Sequence, residues 1–110
     1  MKYSALFTES AEKDIEAAAR YIESTLHNPS AAENLLKDVS LEIRNLEDNP
    51  FICSIIDDPG FKSIGLRVSI VRNYLLFYTV SSNDKTILIL RFLFGRRNWR
   101  WILRQSFAIE

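Results

Sequence analysis

At 110 residues, 47% hydrophobic and with no formal net charge, the chain has room for one folded domain, expected to span residues 1–110, and is too apolar to be a disordered one. No apolar run is long enough to cross a bilayer, and Met1 to Phe7 passes directly into acidic sequence at Glu9, so no secretory leader is expected. Cys53 is the only cysteine, so no internal disulfide argues for an oxidising compartment, and the expected location is the cytoplasm, with no membrane partner.

The neutral total hides an asymmetry. Residues 1–59 hold five Lys/Arg against 12 Asp/Glu, a balance of −7; residues 60–110 hold nine against two, a balance of +7. Seven of those nine are arginines (Arg67, Arg72, Arg91, Arg96, Arg97, Arg100 and Arg104). Arginine is the better anion ligand, so this half suits an anionic partner. A merely solvated basic face is the plainer alternative.

In chain order, residues 2–7 alternate Tyr3, Ala5 and Phe7 against Lys2 and Ser4, which predicts a short strand. A helix is expected over 9–26, with Ile15, Ala18, Ala19, Ile22 and Leu26 on one face and Thr8 or Ser10 as its cap. Asn28-Pro29 ends it. Ser30 and Glu33 have capping-box spacing, so a second helix is expected from Ser30 to just before Asn49-Pro50, with Ala32, Leu35, Leu36, Val39, Ile43 and Leu46 on one stripe. The short link makes the two an antiparallel hairpin.

Residues 50–63, with Pro50 and Asp58-Pro59-Gly60, read as a loop. Three strands in close succession follow, over 65–71, 74–80 and 86–94. Their short turns, Arg72-Asn73 and Ser81 to Asp84, make neighbours antiparallel. The last strand is apolar on both faces and interrupted by Arg91, a pattern of a central or partner-covered strand. A basic, aromatic tail over 95–103 turns helical near its end. The fold class is α/β of the α+β kind: an N-terminal strand, a helical hairpin on one face of a small antiparallel sheet, and a basic tail. Two helices cover one face only, so the other is expected to meet solvent or a partner.

Several chemistries are excluded. One His and one Cys make no zinc site, so no metal is expected. Three glycines form no phosphate loop, no Ser–His–acid frame is present, and no cofactor is implied. His27, in the last turn of the first helix, is read as a surface residue favoured by the helix dipole. Asp57-Asp58 reads as a solvated turn. What remains is arginines and aromatics. Arg67, Arg72, Arg91, Arg96 and Arg97 can hold phosphates, and Tyr74, Tyr78, Trp99 and Trp101 can stack on bases. The structural alternatives are that Tyr74 and Tyr78 pack in the sheet, that Trp99 and Trp101 fasten the tail, and that Arg67 and Arg91 pair with acids.

These residues resemble a known family. Glu12-Lys13-Asp14-Ile15 through Tyr21-Ile22, Asn28-Pro29-Ser30-Ala31-Ala32 and Leu46-Glu47-Asp48-Asn49-Pro50 are similar to the helical hairpin of RelE/ParE toxins. Gly65-Leu66-Arg67, Val71-Arg72-Asn73-Tyr74 through Thr79-Val80, and Ile89-Leu90-Arg91-Phe92 through Arg96-Arg97-Asn98 resemble its strands, in the family's order. The resemblance implies a type II toxin in a hetero-oligomer with a cognate protein antitoxin. It also implies one of two targets, since the RelE branch cuts messenger RNA on the ribosome and the ParE branch poisons DNA gyrase. The RelE branch has basic residues on the strand after the loop, an Arg after the first Tyr of the next strand, and a Tyr near the C-terminus. Leu66, Val68, Leu75 and Leu103 stand there in this chain. Other ribonuclease branches carry a His near Phe94 and an earlier Glu, and neither is evident here. Arg97 alone matches a catalytic residue, should the chain be a ribonuclease. The expectation is therefore a non-hydrolytic, ParE-like toxin aimed at DNA gyrase, with a ribosome-dependent endoribonuclease acting on mRNA as the alternative and a bare binding module third. Target or phosphate contacts are assigned to Arg67, Arg72, Arg91, Arg96, Arg97 and Trp99, and antitoxin contacts to Arg67, Arg91 and Arg97.

Overall fold

A computed structural model describes residues 2–107. Along the chain lie β1 (Ser4–Phe7), α1 (Glu9–Arg20), a π-helical turn (Tyr21–Thr25), α2 (Pro29–Asp48), α3 (Pro59–Ser63), β2 (Arg67–Val71), β3 (Tyr74–Ser81), β4 (Thr86–Phe94) and α4 (Trp99–Phe107). The sheet order is β1-β4-β3-β2. The β2–β3–β4 meander is antiparallel as expected, with Val71 opposite Tyr74 and Tyr74 opposite Phe94. β1 adds to β4 in parallel, Ser4 opposite Thr86, so the whole sheet is mixed.

The helix starts follow capping chemistry. Thr8 Oγ1 accepts the Ala11 N–H at 3.0 Å and its hydroxyl donates to the Leu90 carbonyl at 2.9 Å, tying α1 to β4. The second helix opens two residues earlier than the capping-box spacing suggested. Asn28 Oδ1 accepts the Ala31 N–H at 3.1 Å, and Pro29 takes the first helical position. The N–H that proline lacks is one the first turn leaves unpaired anyway, so Asn-Pro starts this helix as well as ending the last.

Against one sheet face α2 packs Leu35, Val39, Ile43 and Leu46, which meet Val71, Leu76, Tyr78, Ile87, Ile89 and Phe92. Full burial of each large apolar side chain is worth about 1.5–3 kcal/mol. Leu36, placed on the same stripe by spacing, is exposed, as is Leu26. The other sheet face does not stay open. α3 and α4 cover it with Phe61 and Leu103, packed on Ile56, Leu66, Phe77 and Leu93, with Trp99 and Ile102 alongside. The doubly apolar β4 is thus covered by its own chain over much of its length, while Leu88 stays exposed. α3 escaped notice because Pro-Gly reads as punctuation, whereas Pro59 serves as a helix-opening residue.

A β-bulge controls the phase of β4. Phe77 faces Arg91 but Tyr78 faces Ile89, leaving Leu90 as the extra residue. Ile87 and Ile89 therefore share the hairpin face with Phe92, and Arg91 is re-aimed at the rim of α1.

Tyr78 is fully buried and its hydroxyl donates to the Pro50 carbonyl at 3.0 Å. Burial pushes its phenol well above the ordinary value of 10.0. The unfolded chain ionises this group from about pH 10 while the fold holds the proton, so stability is intact below that pH and falls above it by up to about 1.4 kcal/mol per pH unit. Tyr78→Phe is expected to lose about 1 kcal/mol at neutral pH and to flatten that alkaline arm. Urea unfolding between neutral and strongly alkaline pH measures both; an unchanged alkaline slope refutes the assignment.

Candidate functional site: an arginine rim beside an aromatic cavity

The β2–β3 turn and the exit of β4 meet at one end of the sheet. The Gly95 N–H donates to the Asn73 carbonyl at 2.8 Å, and a Cβ at Gly95 would stand 3.2 Å from that oxygen. Glycine lets the two turns close this tightly. The Arg97 N–H then donates to the Phe94 carbonyl at 3.0 Å, so the chain turns and presents Arg96 and Arg97 next to the Arg72 turn. Arg72 itself has φ of 55°, in the left-handed region, and its side chain pairs with Asp38 of α2. Arg96 and Arg97 are exposed and, among the described residues, make no ion pair.

Phe94 divides two hollows at this rim. The smaller, about 300 Å³, lies between Ile70, Arg72, Asn73, Leu75 and Arg96. The larger, about 380 Å³, lies between α1 and the sheet, walled by Asp14, Ala17, Ala18, Tyr21, Tyr74, Phe92 and Arg97. The Tyr74 and Phe92 rings stack at 4.8 Å and Phe94 meets Tyr74 edge-on at 5.5 Å. Burial raises the Tyr74 phenol above its usual value, and the nearby Tyr21 adds to it. Tyr74 is thus a neutral hydroxyl, not a base.

Three of the six residues assigned to target contact converge here: Arg72, Arg96 and Arg97. The other three have partners within the chain. Arg91 is 17% exposed and grips Asp14, itself 14% exposed, with Nε to Oδ2 at 2.6 Å and Nη2 to Oδ1 at 3.0 Å. Its remaining Nη1 donates to Ser106 Oγ at 2.8 Å. Asp14 Oδ2 also accepts the Phe92 N–H at 3.0 Å, satisfying the backbone just past the bulge. Arg67 donates to the Cys53 carbonyl and lies over the Phe51 ring, 5.2 Å from its centre, under the 50–56 loop. Trp99 is half-buried against Phe77 at 5.3 Å and Phe61 at 6.2 Å, with Arg100 over it at 4.4 Å.

Asp58 is no solvated turn residue. Its Oδ2 accepts from Arg104 at 2.7 Å, with Arg100 at 3.9 Å, and so fastens α4. Sequence reading also missed Tyr21, Phe94 and Asp14 as cavity walls. Asp14 gave no sign of this role in sequence, because its partner lies 77 positions away. The π turn that begins at Tyr21 leaves no spacing signature in a single helix. Chemically, the rim can hold a carboxylate or phosphate, since guanidinium stays charged and donates in forks. The carboxylate that lines the larger hollow, Asp14, is engaged by Arg91 and the Phe92 N–H.

Solved structures share this architecture, among them chains described as parts of toxin-antitoxin systems. A chain of a structure described as a chromosomal ParDE TA system from P. aeruginosa superposes with a TM-score of 0.66 at 21% identity, covering 84% of this chain and 96% of that one. A mutant of E. coli toxin RelE in the free state gives 0.64 at 15% identity, with 99% and 100% covered. The RelBE2 toxin-antitoxin complex from Mycobacterium tuberculosis gives 0.58 at 18%, with 86% and 99% covered. At these identities the likeness establishes the fold. The chain belongs to the family described as the ParE toxin of the type II toxin-antitoxin system parDE, whose family model matches residues 5–99. Comparison with curated protein sequences returns no match. Among the described residues, no helix is long and apolar enough to cross a membrane.

Proposed function

We propose that this chain is a growth-inhibiting toxin that acts as ParE toxins do, by holding DNA gyrase on DNA in a harmful state, and that a cognate antitoxin neutralises it. The observation that carries the reading is the rim itself. Arg96 and Arg97 stand exposed and, among the described residues, without an ion pair, beside a cavity whose lining carboxylate is already engaged. Such a surface binds anions and lacks the base that RNA cleavage through a 2′-hydroxyl requires. The positions where the nuclease branch carries its basic and tyrosine residues support the same reading: Leu66 and Leu103 are fully buried, and Val68 and Leu75 pack against them. Arg96 and Arg97 are assigned target contacts, with Arg72 shaping the turn beside them. The antitoxin assignment draws on relatives of like fold described as toxin-antitoxin complexes, from M. tuberculosis and E. coli among others.

Purified toxin is expected to block supercoiling by purified gyrase or to trap cleaved DNA, and to leave mRNA on translating ribosomes intact. Arg97→Ala is expected to lower gyrase inhibition by at least about tenfold, an interface-anchor loss. Codon-positioned mRNA cleavage with gyrase untouched would replace this reading with the ribosome-dependent nuclease.

A further inference from the structure

We infer that the cavity between α1 and the ends of β3 and β4 is an anchoring pocket for the antitoxin, taking one large apolar side chain from an acidic segment whose carboxylate meets Arg97. The inference rests on the toxin–antitoxin reading and specifies where and by what chemistry the partner engages.

Small side chains on the sheet-facing side of α1, Ala17 and Ala18, leave the space open. The π turn begins at Tyr21, which stands 52% exposed beside the cavity. The floor is aromatic, built on the stacked Tyr74 and Phe92 rings. At about 380 Å³ the hollow is of ligand size. Its interior is electrically quiet, because the Asp14 carboxylate is closed by Arg91 and the Phe92 N–H.

That neutrality selects the occupant. A nucleobase would bring a polar edge of several donors and acceptors into a wall whose uncommitted polar groups are two phenol hydroxyls and, at the rim, Arg97, and unpaired polar groups oppose binding. An apolar side chain brings none. Among the described residues Arg97 is the charged group of this wall without an ion pair, so covering it calls for an anion. A carboxylate one or two residues from the apolar anchor supplies it, and the +7 half of the chain favours an acidic segment generally. The occupant then takes Arg97 out of the rim assigned to the target. Neutralisation follows from direct competition for that guanidinium.

The probe is the antitoxin encoded by the adjacent reading frame, titrated calorimetrically into purified toxin. Ala17→Trp fills the cavity from an exposed helix position, and Arg97→Ala removes the charge. Each is expected to raise the dissociation constant by about tenfold or more, with the salt dependence reduced only in Arg97→Ala. Leu41→Trp, on the exposed side of α2, is expected to bind as the wild type does. Thermal midpoints of the variants check that they fold, and Tyr21→Ala, which opens the mouth, gives a second perturbation. Ala17→Trp and Tyr21→Ala both binding within roughly fivefold of the wild type would overturn the pocket while leaving the antitoxin reading intact. Wild-type toxin that forms no complex with that product overturns the antitoxin reading, and this inference with it.

Discussion

Asp14→Ala is expected to lower stability by about 3 kcal/mol, because it strands a largely buried guanidinium. Asp14 holds Arg91 through two contacts and also takes the Phe92 N–H next to the Leu90 bulge. Removing it therefore leaves a cation without its counter-ion, held only through Ser106, and a backbone donor without its acceptor at once. For a chain of this length about 1 kcal/mol moves the melting midpoint by roughly 4 °C, so a drop on the order of 12 °C follows. Residual exposure of the pair, 14% and 17%, places the figure at the low end for buried pairs. The double variant Asp14→Leu with Arg91→Met removes both charges and is expected to recover most of the loss. A cycle of the four proteins by thermal and urea unfolding measures the coupling. Additive single losses would show that the pair acts independently and contradict this account.

Leu103→Ala is expected to cost about 3 kcal/mol, within the usual range for a leucine truncated in a core. Leu103 is the residue of α4 that is fully buried, and it packs with Phe61, Phe77 and Leu93. α4 has further fastenings, from Trp99 against Phe77, from Ser106 Oγ to Arg91 at 2.8 Å, and from Arg104 to Asp58 at 2.7 Å. The Arg104 bond involves a partly exposed arginine and is worth far less than the apolar contact. Asp58→Asn should therefore change the unfolding free energy by under about 1 kcal/mol. Loosened α4 uncovers Phe77 and Leu93, so Leu103→Ala should also bind a hydrophobic dye more strongly before global unfolding. A variant with native stability would mean that α4 is not part of the second core.

The strands were legible where side-chain alternation meets turn chemistry. β2, β3 and β4 fall within about two residues of the ranges expected from period and turn spacing. The hairpin was legible because both helices carry a strong one-sided stripe. What sequence hid was interaction at a distance. The cover over the second face depends on Leu103 and Trp99 returning to Phe77, and a nine-residue basic tail gives no sign of which sheet face it will meet. β1 was readable as a strand but not as a parallel one, because strand direction is set by the crossover and not by alternation. The site was half legible. Arg72, Arg96 and Arg97 were named from type and motif, whereas Arg91 and Arg67 looked equivalent to them in sequence. Only the fold distinguishes an arginine gripping Asp14 or the Cys53 carbonyl from one left in solvent.

The parallel seam between the first and last strands has a consequence for the order of assembly. Ser4 lies opposite Thr86, and the Ser4 N–H bonds the Lys85 carbonyl. Closing so long a span is entropically dearer than forming the local β2–β3–β4 meander, so β1 docks late. During synthesis β1 is made before the helical hairpin and the meander, and it waits until β4 has been added before its partner exists. A nascent or prematurely terminated product that stops before β4 has no seam for β1, no bulge to receive Asp14, and no Gly95–Arg97 turn. Such fragments carry neither the completed sheet nor the arginine rim, both of which need β4 and the turn that follows it.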